Sequence, residues 1–147
     1  MLHGNPVHIL LVEDDPAHAE IVFRNLTDFR VANRIFHVED GQAALDYLNQ
    51  EGKYADPQAF PRPALILLDL RLPKVDGLEV LRRIKENPGL KRIPTVVLTT
   101  SRAELDMVSA YANGACSYLV KPVDFEKFTR LLESFGYYWL AWNQFPD

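Results

Sequence analysis

A single cysteine, Cys116, stands in 147 residues, so no internal disulfide can form and packing alone must hold the fold. That usage fits a reducing, cytoplasmic setting. No apolar run approaches the ~20 residues that a membrane-spanning helix needs. The opening residues, MLHGNPVH, carry neither the charged leader nor the apolar stretch of a secretory signal. A strong excess of one charge sign is missing too. Lys and Arg number 16 against 20 Asp and Glu, for a net −4, and the two signs are interspersed. Without a basic stripe, a nucleic-acid partner is not expected. Internal repeats, low-complexity stretches and interdomain linkers are absent as well. The length fits one domain, and a chain of this size buries roughly 68–70% of the surface its unfolded form exposes.

What is present is a rhythm. Five short apolar runs read as buried strands: 7–12 (VHILLV), 34–38 (RIFHV), 64–68 (ALILL), 95–99 (TVVLT) and 117–121 (SYLVK). Helix-like segments lie between and after them, at 16–29, 41–50, 77–87, 103–112 and 124–135. The first three place Ile21, Leu26 and Phe29; Ala44, Leu45 and Leu48; and Leu78, Leu81 and Ile84 on their apolar faces. In the last, Phe125, Phe128, Leu131, Leu132 and Phe135 form a core stripe. Alternation of continuously apolar strands with helices predicts an α/β fold, a parallel sheet covered by helices on both faces. Asp15 before Pro16 reads as an N-cap followed by proline at the first helical position. Asn87-Pro88-Gly89 reads as a stop. The segment 51–63, EGKYADPQAFPRP, breaks the rhythm. A loop that long is either functional or mobile, or else a tolerated surface insertion.

The chemistry gathers at the carboxyl end of each run. The first ends in Glu13, Asp14 and Asp15, the third in Asp69, the fourth in Thr99 and Thr100, and the fifth in Lys121-Pro122. Ligands of open parallel sheets bind outside that edge, so these groups are expected to converge. Crowded carboxylates repel one another unless a cation joins them. An all-oxygen donor set suits Mg²⁺ or Mn²⁺ and not zinc. These are the parts for phosphoryl transfer: Asp69 as the nucleophile, a metal to neutralise developing charge, and Lys121 and the Thr99 hydroxyl on phosphoryl oxygens.

The motifs VEDDP, LLDLRLPKVDG, VVLTTS and YLVKP, in this order and spacing, resemble the receiver domains of two-component response regulators over residues 7 to about 135. The resemblance implies a flavodoxin-like, doubly wound five-stranded sheet of order 2-1-3-4-5. It implies Asp69 as phosphoacceptor, Asp14 as a direct metal ligand and Glu13 as one acting through water. It further implies the backbone carbonyl of Arg71 as a metal ligand, Thr99 and Tyr118 as switch residues, and a cis Lys121-Pro122 bond. The implied function is a stand-alone response regulator phosphorylated by a sensor histidine kinase. Such a protein catalyses only its own modification and slow hydrolysis, and it switches its 103–135 surface for protein contact. A separate DNA-binding output domain is not expected.

Duller readings compete at several positions. Asp15 fits a cap better than a metal ligand, and Asp76-Gly77 fits a turn better than chemistry. Tyr118 by itself reads as a half-buried strand aromatic. Cys116 reads as a small core residue. His3, His8, His18 and His37 lack ligand spacing and read as surface or structural residues. An aspartate-nucleophile phosphatase of the haloacid-dehalogenase type is a second reading, but Arg71 stands where that family has its second aspartate. A phosphate-independent binding module is a third, disfavoured by the full acid–Thr–Lys set.

Residues 136–147, GYYWLAWNQFPD, form an aromatic extension to a receiver domain at 1–135. With the core already covered, Tyr137, Tyr138, Trp139, Leu140, Trp142 and Phe145 are expected to build part of a homodimer. The alternative is a tail folded back on its own domain. This tail and the 51–63 insertion resemble the small response regulators that partner cyanobacterial phytochrome kinases.

Overall fold

The computed structural model describes residues 7–27 and 33–142, with side chains described to Leu140. Five strands, β1 (Val7–Val12), β2 (Asn33–Val38), β3 (Leu65–Leu68), β4 (Thr95–Thr99) and β5 (Ser117–Val120), form one parallel sheet ordered β2-β1-β3-β4-β5. Helices α1 (Pro16–Thr27), α2 (Gly41–Leu48), α3 (Gly77–Glu86), α4 (Glu104–Ala112) and α5 (Phe125–Gly136) alternate with them. The expected α/β fold and strand order are both present.

Continuous apolar runs form the central strands because both faces are covered. Leu10, Ile66, Leu68 and Val97 face a core shared with α2 and α3, while Ile9, Leu11, Leu67 and Val96 face one shared with α1 and α5. Each fully buried leucine or isoleucine contributes about 1.5–3 kcal/mol relative to exposure. Strand order reverses between β1 and β3. Leu68 pairs with Val12 on one side and Val97 on the other, so the polar ends of β1, β3 and β4 meet at one edge.

Helix starts follow the local chemistry. Asp15 Oδ1 accepts from the Ala17 and His18 N–H groups at 2.9 and 3.4 Å, as a cap ahead of Pro16 should. Although burial alone would raise the Asp15 pKa, these bonds hold it below the usual range. Asp40 caps α2 and Asp124 caps α5 in the same way.

Tertiary packing revises several finer expectations. The buried stripe of α1 is Ala19, Val22 and Leu26, with Ile21 half-buried; Phe29 lies outside the described residues. Phe125 is 57% exposed because it opens α5 at the sheet edge; Phe128, Leu132 and Phe135 carry the core stripe. Cys116 is exposed, not in the core: it stands just before edge strand β5, and its N–H donates to the Thr95 carbonyl at 2.9 Å. The Lys121-Pro122 peptide is trans, the isomer that X–Pro bonds ordinarily favour.

The 51–63 segment is anchored. A 3₁₀ turn at Gly52–Tyr54 drops the Tyr54 ring to 5.2 Å from that of Tyr47, and Phe60 packs edge-on against both. Tyr47 donates its hydroxyl to the Pro61 carbonyl at 2.9 Å, and burial pushes its pKa up to about 12. Tyr47→Phe should therefore cost about 1–2 kcal/mol, since the Pro61 carbonyl loses its donor while the ring packing stays. Urea unfolding measures the loss, and faster proteolysis between residues 51 and 63 would localise it.

The aromatic extension divides. Residues Tyr137–Trp142 continue α5 as a π-helical turn, and the wider turn brings Trp139 and Leu140 back onto the α5 core, where both are buried. Two of the six expected dimer residues thus have an internal home, as the folded-back alternative has it. Tyr137 and Tyr138 remain 58% and 57% exposed. The Trp142 side chain and Phe145 lie outside the described residues.

Candidate functional site

The convergence expected at the carboxyl edge is present, and backbone bonds build it. Glu13 N–H donates to Val38 O at 3.0 Å, Asp69 N–H to Val12 O at 3.1 Å, and Lys121 N–H to Thr99 O at 2.7 Å. Each of these three residues is therefore the first beyond its strand, fixed by the neighbouring strand's last carbonyl. His37 on β2 adds a ring-nitrogen contact to the Glu13 carbonyl at 2.7 Å. Gly77 lets α3 start close by, because a Cβ there would lie 2.4 Å from the Asp69 carbonyl oxygen.

Carboxylate oxygens of Glu13, Asp14 and Asp69 lie within 4.8 Å of one another, Asp14 exposed and the other two buried. Lys121, also buried, reaches between them. Its Nζ bonds Glu13 Oε1 and lies 3.1 Å from Asp69 Oδ2. Desolvation dominates at Glu13 and pushes its pKa up to about 7, although Lys121 pulls the other way. The all-oxygen donor set, one face open at Asp14, fits a hard divalent cation such as Mg²⁺ or Mn²⁺.

The remaining expected residues surround this cluster. Arg71 N–H donates to Asp69 Oδ1 at 3.3 Å, which sets its peptide beside the carboxyl group. Thr99 is buried at the end of β4, and its Oγ1 accepts from Ser101 N–H at 3.4 Å. Thr100, beyond it, is exposed. Tyr118 is half-buried on β5 and donates its hydroxyl to Ser101 O at 3.0 Å. Ser101 in turn donates to Asp106 on α4 at 2.6 Å, and Asp106 also pairs with the Arg71 guanidinium. A polar chain therefore runs from the Asp69 loop through α4 to Tyr118.

One member was not legible in the sequence. His18, on the first turn of α1, brings Nδ1 to 3.0 Å from Lys121 Nζ. Its position, one turn beyond the Asp14 strand end and beside a capping aspartate, was the available signal. His8 and His37 are partly buried structural residues as expected; His3 lies outside the described residues.

A doubly wound sheet with an acidic, lysine-bridged pocket at its switch point defines the class: a receiver-type α/β domain. Residues 9–133 match the response regulator receiver domain, and the chain belongs to that family. It is 48% identical over 143 residues to the probable methanogenesis regulatory protein FilR2 of Methanothrix harundinacea, covering 97% of this chain and 89% of that one. It is 43% identical to response regulator Rcp1 of Synechocystis sp. over 141 residues, or 96% and 94% of the two chains. The crystal structure of the Mn²⁺-bound form of Rcp1 superposes with a TM-score of 0.92 at 42% identity, covering 97% of this chain and 100% of that one. The phosphorylated cyanobacterial phytochrome response regulator RcpA gives 0.92 at 39% identity and the same coverage. Among the described residues no helix is long and apolar enough to cross a membrane.

Proposed function

We propose that this chain is a stand-alone response regulator that receives a phosphoryl group on Asp69 from a sensor histidine kinase. The observation that carries this reading is the buried Lys121 ammonium, 3.1 Å from Asp69 Oδ2 inside a cluster of three carboxylates. Asp69 attacks phosphorus, its new O–P bond forming as the donor's N–P bond breaks, and the released imidazole takes up a proton. A divalent ion held by Glu13, Asp14, Asp69 and the Arg71 carbonyl would neutralise charge on the transferring group. Lys121 and the Thr99 hydroxyl serve its equatorial oxygens.

Switching follows from the polar chain. A phosphoryl group at Asp69 adds charge and acceptors beside Thr99 and Lys121. Thr99, the Ser101 backbone and Tyr118 shift together, and the 103–135 surface changes with them. A phytochrome is the kinase class to try first, because RcpA and this chain share the fold over nearly their full lengths. The chain modifies itself and is not a turnover enzyme. The test is incubation with candidate kinases, ATP and Mg²⁺, then mapping of acid-labile phosphate. Label on Asp69 that is absent from Asp69→Asn supports the reading; label elsewhere, or steady hydrolysis of phosphate monoesters, sinks it.

The receiver unit at 1–135 with its 136–147 extension is proposed to form a homodimer. A groove of about 270 Å³ lined by Leu119, Leu131, Phe135, Tyr138 and Trp139 opens beside Tyr138 next to edge strand β5. Truncation after Phe135 would strip Trp139 and Leu140 from the core, so substitution is the cleaner test. Tyr137→Ser with Tyr138→Ser should shift sedimentation from dimer to monomer at micromolar concentration, with the fold kept, although Tyr138 gives up its edge-on contact with Trp139 at 5.2 Å. An unchanged dimer overturns the role of these two tyrosines.

A further inference from the structure

We infer that His18 is a positioning residue for phosphoryl transfer: it fixes the ammonium of Lys121 through an acceptor that lies outside the acid cluster. This rests on the reading of Asp69 as the phosphoacceptor.

Lysine has three N–H donors and no acceptor. Lys121 is buried, so each donor needs a partner. The three partners present are Glu13 Oε1, Asp69 Oδ2 at 3.1 Å and His18 Nδ1 at 3.0 Å. Two of them are carboxylates that a divalent cation would share, and one of those is the group to be modified. His18 is the one partner that is not a carboxylate of the acid cluster. It is therefore the fixed point from which the ammonium can pass from Asp69 to a phosphoryl oxygen.

The histidine is itself held. Accepting through Nδ1 requires the proton on Nε2, and Nε2 faces Asp15 Oδ2 at 3.6 Å, which favours that tautomer. The ring stands edge-on to Phe128 of α5, centroids 5.9 Å apart. The Asp15 backbone N–H in turn donates to Glu13 Oε2 at 3.1 Å. The α1 first turn, the α5 core and the acid pocket thus determine where the ring sits. The side chain is 30% exposed, so substitution should not unfold the domain.

Two variants separate packing from the hydrogen bond. His18→Phe keeps an aromatic edge on Phe128 and removes the acceptor. His18→Asn loses the ring but returns an oxygen near the Nδ1 position. Full-length proteins are compared in two assays. The first is the rate of Asp69 phosphorylation by a small acyl-phosphate donor with Mg²⁺. The second is the ¹⁵N–¹H NMR signal of the Lys121 ammonium in metal-free protein. His18→Phe should slow phosphorylation at least about tenfold, as sub-ångström misplacement of a reacting group does, and should broaden the ammonium signal. His18→Asn should recover both to within about threefold. If His18→Phe matches wild type in either assay, or His18→Asn is no better than His18→Phe in both, the inference falls. Wild-type protein that carries no phosphate on Asp69 overturns the functional reading instead, while the ammonium signal still tests the Lys121–His18 contact.

Discussion

Lys121→Met is expected to slow phosphorylation of Asp69 at least about a hundredfold, the scale on which single electrostatic donors act in a preorganised site. It is also expected to destabilise the metal-free protein, by about 3–5 kcal/mol at pH 8, because Glu13 and Asp69 stay buried without their cation. The loss should be smaller at pH 5, and the sign follows from Glu13. Its folded pKa, about 7, lies above the ordinary value of 4.5, so the native state binds the extra proton. Wild-type stability therefore falls as pH rises from about 4.5 to about 7. Removing Lys121 takes away the cation that opposes this shift, so the carboxyl rises further and the penalty of keeping it charged grows at high pH. At pH 5, well below the folded pKa, Glu13 is neutral in either folded protein, and less depends on the lysine. Urea unfolding in Mg²⁺-free buffer at both pH values measures this; an equal loss at pH 5 and pH 8 would remove Glu13 from the account.

Gly41→Ala is expected to lower stability by roughly 3 kcal/mol or more, the upper range for overpacking against a part that cannot move. In an exposed helix the same change stabilises by about 1 kcal/mol. Here the added Cβ would lie 1.9 Å from the Val75 carbonyl oxygen. Val75 belongs to the loop between Asp69 and α3, and Gly41 N–H donates to Pro73 O in the same loop at 3.2 Å. Relief of the clash must push that loop away from α2 and disturb the segment that holds Asp69. The variant should therefore lose phosphorylation rate as well as Tm, and a gain in Tm would contradict the close approach.

Much of this was legible along the chain, for a physical reason. A run such as Leu65–Leu68 that ends on Asp69 states locally that a strand buried on both faces stops at a charged edge. Parallel strands place all such endings on one side. Element order, the α/β class and the meeting of Glu13, Asp14, Asp69, Thr99 and Lys121 follow from that one-dimensional signal. The Asp15 and Asn87 boundaries are equally local, since caps and breakers act within one turn.

What the tertiary structure alone decided concerns which way a face turns and what lies across from it. Periodicity marked Ile21 and Phe125 as core, yet Ala19 and Val22 are buried where Ile21 is only half-buried, and Phe125 is exposed while Phe128 is buried as expected, because the rotation of a helix is set by the sheet beneath it. A π-helical turn moved Trp139 and Leu140 inside while Tyr137 and Tyr138 stayed out. Cys116 is exposed because β5 is an edge strand, a fact of strand order. His18 meets Lys121 across 103 positions of sequence. No local pattern encodes that contact; it exists only once α1 and β5 are brought to the same rim.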